Sequence, residues 1–187
     1  MRVNKKIVAL SILPLFAVAP YVSAAQAGSS YAGVGYGVVT YEENDYPDLN
    51  PTVLVGRFGH YVADNVAIEA RLGFGMSDDS TTVTGVNVSL DIDHVYGIYA
   101  VGHFPVGQKA TLYALVGYTH AQATATATAS VGGTSVSLSD SDSDVSYGIG
   151  AEYAFAKNVT AGIEYTSYID KDTFSVSAAG VGISLGF

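Results

Sequence analysis

From Ser30 to the end of the chain, apolar and polar residues alternate with a period of two. Successive side chains of a strand point to opposite faces, so this pattern predicts strands with one apolar and one polar face. Eight such segments follow one another. The first spans 31–41, with Gly33, Gly35 and Gly37 opposite Val34, Tyr36 and Val38. A polar acidic stretch, 42–51, leads to the second, 52–62. After the tight turn Ala63-Asp64-Asn65 comes the clearest strand, 66–76, where Ile68, Ala70, Leu72, Phe74 and Met76 oppose Glu69, Arg71, Gly73 and Gly75. A polar connection at 77–82 precedes a long fourth strand, 84–104, read as one unbroken alternation. In it Val86, Val88, Leu90, Ile92, Tyr96 and Ile98 share a face. A short connection, 105–110, leads to the fifth, 111–129, which ends as an Ala/Thr alternation. Gly132-Gly133 turns the chain into a sixth strand that opens on Ser/Asp pairs and ends near Phe155. The turn Ala156-Lys157-Asn158, a seventh strand at 159–169, and Asp170-Lys171-Asp172 bring in the last. That strand carries Ala179, Val181, Ile183, Leu185 and Phe187 on one face.

The placement of charge says what the apolar face meets. The chain is 49% hydrophobic and only 13% charged. After the first two dozen residues, however, no apolar run approaches the roughly 18 residues of a transmembrane helix. A charge at the bilayer midplane costs about 2–4 kcal/mol for Arg or Lys, so charges within a spanning strand should point inward. Arg57, Glu69, Arg71, Glu152 and Glu164 all fall on the polar or glycine-bearing face. The fold this predicts is all-β: an eight-stranded antiparallel transmembrane up-and-down barrel of the outer-membrane type. The tight connections hold Lys109 and Lys157, whereas the longer ones hold Glu42, Glu43, Asp45, Asp48, Asp78, Asp79, Asp140, Asp142 and Asp144. In such barrels the tight turns face the periplasm and the longer loops face outside.

The first residues read differently. Arg2, Lys5 and Lys6 precede an apolar run, Ile7 to Val18, and then small residues that fit cleavage after Ala24 or Ala27. This predicts a signal peptide at 1–27 and a barrel at 28–187; the other reading is an uncleaved anchor. Without that segment, five basic residues face 17 acidic ones, a net charge near −12. Such a balance disfavours nucleic acid or anionic lipid as a bulk partner. With no cysteine, disulfides, thiolate metal sites and an acylated lipoprotein anchor are excluded.

Several stretches together resemble the outer-membrane β-barrel domain family that includes OmpX, the OmpA barrel and the opacity-type surface proteins. They are the Tyr/Gly-rich first strand, 65–71 (NVAIEAR), 112–118 (LYALVGY), 147–153 (YGIGAEY) and 181–187 (VGISLGF). The resemblance implies outer-membrane lipid and lipopolysaccharide as surroundings. It also implies that Val181, Ile183, Leu185 and Phe187 are read by the barrel-assembly machinery. The sequence departs from OmpA in ending at Phe187, so binding to peptidoglycan by a following domain is not implied.

The remaining chemistry is sparse. An eight-stranded barrel is just wide enough for side chains to fill it, so the two Arg and three Glu are expected to pair inside; the alternative is a polar passage. Strands four to six are nearly twice the roughly 9–11 residues a spanning strand needs. They are expected to project as a ribbon of sheet, the alternative being a disordered loop. Asp140, Asp142 and Asp144 alternate with Ser, but counted from Asp140 the EF-hand glycine and twelfth-position acid are replaced by Val145 and Ala151, so a solvated acidic loop is expected. The four histidines are scattered, and none has a Ser two positions away. Tyr61, Tyr153 and Tyr165 are expected in an inner interfacial girdle, with Tyr36 and Tyr147 in an outer one. No cofactor, metal or catalytic residue is assigned. The leading functional expectation is a structural and adhesin-like role through the acidic loops and the projecting sheet, with a host or surface protein as ligand. The alternatives are a narrow channel or carrier for small solutes and, more remotely, a lipid-modifying enzyme.

Overall fold

The computed structural model describes residues 25–43, 47–129 and 132–187; most of the expected signal segment lies outside the described residues. Nine strands form one antiparallel sheet: β1 (Ser30–Glu43), β2 (Thr52–Ala63), β3 (Val66–Ser77), β4 (Asp79–Val83), β5 (Val86–Pro105), β6 (Ala110–Ala129), β7 (Ser135–Ala156), β8 (Val159–Asp170) and β9 (Phe174–Gly186). Their order is β3-β2-β1-β9-β8-β7-β6-β5-β4, and a further pairing of β3 with β5 closes the ring. Both β3 and β4 pair with β5, along successive stretches of it, so they share one position in the wall and the barrel has eight. The start of β1 meets Phe187 at the tight-turn end, where Ser30 and Phe187 exchange backbone hydrogen bonds of 2.9 and 2.8 Å.

Sequence and local structure agree along most of the wall. Asn65 takes up a φ of 64° in the β2–β3 turn, and Gly132 and Gly133 (φ 88° and 63°) reverse the chain between β6 and β7. Outward positions such as Phe58, Leu72, Ile98, Ile149 and Val181 are all exposed and apolar. Lipid is the solvent that suits such a surface, and closure of the ring leaves the spanning backbone no open edge.

Three features depart from the alternation. The stretch expected as a polar connection, 77–82, instead supplies β4, which folds back on β5 from Asp79 opposite Leu90 to Val83 opposite Val86. Thr84, expected to begin the fourth strand, lies in the two-residue turn with Gly85 (φ 51° and 81°). Thr and Ser suit a strand whose faces need not enter lipid, so polarity there marks the end of the membrane rather than the end of the sheet.

The second departure lies within β5. Its pairing with β6 shifts between Ile92 and His94, leaving Asp93 as an extra residue, a β-bulge. Below it Tyr96 and Ile98 face outward and Val95 and Tyr99 inward; above it Leu90 and Ile92 are the inward residues. The single face expected for 86–98 is therefore two faces. The third concerns Tyr61, which packs inside the barrel with Tyr31 and His103 rather than in the inner interfacial girdle expected of it. Tyr153 and Tyr165 do face outward.

Candidate functional site

The interior is filled in layers. At the tight-turn end Tyr31, Tyr61 and His103 pack with ring centroids 5.2–6.1 Å apart. Above them Arg57 reaches Glu152 at 2.6 Å and donates to Ser184 Oγ from Nη2 and Nε at 2.6 and 3.0 Å. The next layer centres on Arg71, whose side chain is 4% exposed. It donates from Nε to Glu69 at 2.6 Å and, through both terminal nitrogens, to the two oxygens of Glu164 at 2.5 and 2.8 Å. This fork-to-fork geometry is the one a guanidinium and a carboxylate share best. The five charged residues singled out in the sequence thus form two groups, Arg57–Glu152 and Glu69–Arg71–Glu164.

The tyrosines complete those groups. Tyr31 donates to Glu69 at 2.5 Å, Tyr113 to Glu164 at 2.8 Å, and Thr166 to Glu164 at 2.9 Å. Arg71 also lies over the Tyr99 ring at 4.8 Å. Three inner tyrosines lean over a glycine directly opposite on the next strand: Tyr31 over Gly59, Tyr99 over Gly117, Tyr113 over Gly150. A Cβ at any of these glycines would run into the ring. Sequence reasoning placed tyrosines at the membrane interfaces and missed these three, although their parity along the strands, shared with the inward positions, carried the signal. Beside the network the wall is lined by Gly35, Gly37, Gly162, Gly180 and Gly182, which leaves a cavity of about 70 Å³ bordered by Arg57, Arg71 and Glu164. Above it Tyr99 bonds Thr119 at 2.6 Å and Ser146 bonds the Tyr168 carbonyl at 2.9 Å. An apolar cap of Val39, Val53, Ile92, Tyr168, Ile169 and Ala178 then closes the outer end.

Beyond the cap stands the second candidate site. Strands β4, β5, β6 and β7 continue past the rest of the wall as a four-stranded ribbon: β6 and β7 remain paired from Thr128 opposite Ser135 downward, whereas β7 meets β8 only from Tyr147. One ribbon face is a ladder of hydroxyls, with Thr124–Ser139, Thr126–Ser137 and Thr128–Ser135 contacts of 2.8–2.9 Å. The other carries Val86, Val88, the β6 alanines, Val136 and Leu138. Asp140, Asp142 and Asp144 share that second face. Asp144 pairs with Lys171 of the β8–β9 loop at 3.1 Å. That hydrogen bond, with a second from the Val145 N–H, holds the Asp144 carboxyl below its ordinary range, and the same contact raises the Lys171 ammonium.

Two Ser–His contacts exist that sequence spacing did not reveal, because they run across strands: Ser30 with His60 at 2.9 Å and His120 with Ser143 at 2.8 Å. Neither imidazole has a carboxylate hydrogen-bond partner among the described residues, the third member that a Ser–His–Asp arrangement uses. At the chain end, Val181, Ile183 and Leu185 face outward in a row with Phe187, whose ring lies 6.4 Å from that of Phe58.

A closed eight-position ring with an apolar outer band, a charge-paired interior and one rim of tight turns defines a small transmembrane β-barrel of the outer-membrane type. The chain matches the outer membrane protein beta-barrel domain over residues 8–187 and belongs to that family, whose place is the bacterial outer membrane. Among solved structures it is similar to Ail, the attachment invasion locus protein of Yersinia pestis, with a TM-score of 0.62 and 18% identity over 87% of this chain and 100% of that one. It is likewise similar to Neisserial surface protein A (TM-score 0.58, 14% identity, 86% and 99% covered) and to OprG of Pseudomonas aeruginosa (0.58, 9%, 87% and 97%). At such identities the likeness establishes the fold. No curated protein matches the chain.

Proposed function

We propose that this outer-membrane barrel is a surface-contact protein whose working part is the ribbon of β4–β7, held up by a barrel that is itself a filled pedestal. The observation that carries this reading is the ribbon: it extends the sheet well past what a bilayer requires, and its hydroxyl ladder and free strands have no role inside the membrane. The interior supports the same division of labour, because paired charges and an apolar cap occupy the axis that a channel would need open.

The partner's chemistry is constrained by charge. Ail has been crystallised with the heparin analogue sucrose octasulfate. In this chain Lys171 is the one cation among the described residues of the outer rim, against Glu42, Glu43, Asp79, Asp140, Asp142 and Asp170. A polyanion therefore suits this rim poorly, and a neutral or basic protein surface suits it well. The reading is tested by removing residues 79–92 and 121–143, closing each gap with a two-residue turn. Cells displaying the shortened barrel should lose binding to host-cell or matrix protein while the membrane stays intact; unchanged binding would refute the proposal.

The same reading gives Val181, Ile183, Leu185 and Phe187 to biogenesis, as the strand the assembly machinery engages before β9 pairs with β1. Deleting Phe187 should lower the amount of barrel folded into the outer membrane. Normal yield from that variant would remove the assignment.

A further inference from the structure

The ribbon has two unpaired edges, β4 on one side and the upper part of β7 on the other, and both carry one device. Asp79 Oδ1 accepts from the N–H of Ser80 at 2.8 Å; on β7 the same step recurs from Asp140 to Ser141 (2.9 Å), Asp142 to Ser143 (2.7 Å) and Asp144 to Val145 (2.8 Å). In a strand, the N–H groups of alternate residues point to the same edge. The even residues of upper β7 face β6, as the Ala129 N–H to Thr134 carbonyl bond of 2.9 Å confirms, so the odd residues face the open side. Asp144 sits where the end of β8 already reaches the edge, its Oδ2 near the Asp170 N–H; each of Asp79, Asp140 and Asp142 folds its carboxylate over an edge N–H that an incoming strand would need. It also places a negative charge there, a known way of blocking edge-to-edge pairing.

The guard stops at Asp140. Above it Ser135, Ser137 and Ser139 turn uncapped backbone groups to the open edge, and the residues from Ser135 to Ser141 are all exposed. Val136 and Leu138, between them, are 69% and 72% exposed. This stretch is self-complementary. In an antiparallel pair centred on Ser137, Ser137 meets Ser137, Ser135 meets Ser139, and Val136 meets Leu138 on one face. Asp140 then lies opposite Thr134, with no carboxylate facing another. A register slid deeper along β7 brings Asp140 against Asp140, which like charge opposes.

We infer that the upper edge of β7 is a homophilic contact: the Ser135–Ser139 edges of two copies pair antiparallel, and the Asp-Ser repeat fixes where that pairing ends. Antiparallel pairing reverses one copy relative to the other, so the two barrels sit in facing membranes and the contact joins two cells. The inference rests on the ribbon being a contact surface and names a second copy of this chain as its partner; the stretch that pairs, Ser135 to Ser139, is itself uncharged, so it offers the neutral surface that an acidic rim accepts.

The test uses the full barrel in phosphatidylcholine vesicles, with donor- and acceptor-labelled populations mixed and their clustering followed. Protein-bearing vesicles should cluster. Ser137→Pro removes both hydrogen bonds at the centre of the pair while leaving the bonds to β6, and should raise the protein density needed for clustering about tenfold. Asp140→Ala with Asp142→Ala should increase clustering by lengthening the open edge. As the chain has no cysteine, Ser137→Cys reports the register cleanly: a short bis-maleimide should join two copies from different vesicles through the introduced thiols, whereas Ser141→Cys should give no joined product. Absence of clustering, or clustering indifferent to Ser137→Pro and to the position of the thiol, would overturn strand pairing. The wider contact reading would then stand or fall by the ribbon-shortened variant alone.

Discussion

At the scale of single residues, Arg71 holds the interior together. It satisfies Glu69 and Glu164 at once, and each carboxylate also takes a tyrosine hydroxyl. Removing one partner of a buried ion pair costs about 3–5 kcal/mol because the other charge is left uncompensated. Arg71→Ala should therefore lower the unfolding free energy of the barrel in detergent by an amount in that range, read out as a lower unfolding midpoint. A variant as stable as the parent would show the network to be ornamental, and one that gained steady conductance in a planar bilayer would show it to be a gate. The charged members of this network were legible in the sequence, since a lipid-facing charge is too costly for its strand parity to be ambiguous. The tyrosines were missed although their parity marked them as inward, because tyrosine is at home at an interface and in a core alike. The glycine opposite each ring, brought there by pairing across strands, shows how the core makes room for it.

At the scale of elements, β5 holds the feature that alternation alone misreads. One extra residue at Asp93 exchanges the faces, so that the apolar residues facing lipid below it and the apolar residues facing the barrel axis above it read as one continuous row. Above the bulge the outward positions of β5 are Asp91, Ser89 and Asn87, opposite Thr124, Thr126 and Thr128, so the outward face is no longer apolar there. This has a simple consequence for thiol labelling. Ile92→Cys, in the cap and 7% exposed, should be protected from a water-soluble maleimide, while Asp91→Cys on the outer face should react readily. Equal rates would place Ile92 outside and remove the bulge. β4 escaped the sequence reading for a related reason. Its Thr/Ser run has turn-like composition, and only pairing with β5 makes it a strand.

At the scale of the whole molecule, two structures are joined end to end. The lower is a lipid-facing cylinder whose eight strand positions and outward register follow from period two and the cost of buried charge. The upper is a ribbon in water whose alternation persists because its two faces still differ: hydroxyls on one, valine, leucine and alanine on the other. Its length was visible in the sequence. Its order was expected from that length, against the alternative of a disordered loop that the Ser/Asp/Ala/Thr composition also fits, and the ladder between β6 and β7 decides for the ribbon. The claim on which everything above the membrane depends is that this ladder exists. Amide hydrogen exchange on the barrel in bilayers tests it most directly. The N–H groups of Val136, Leu138 and Asp140, turned to β6, should exchange slowly, and those of Ser137 and Ser139, turned to the open edge, rapidly. Uniformly fast exchange across residues 121–144 would contradict the ribbon and the function proposed for it.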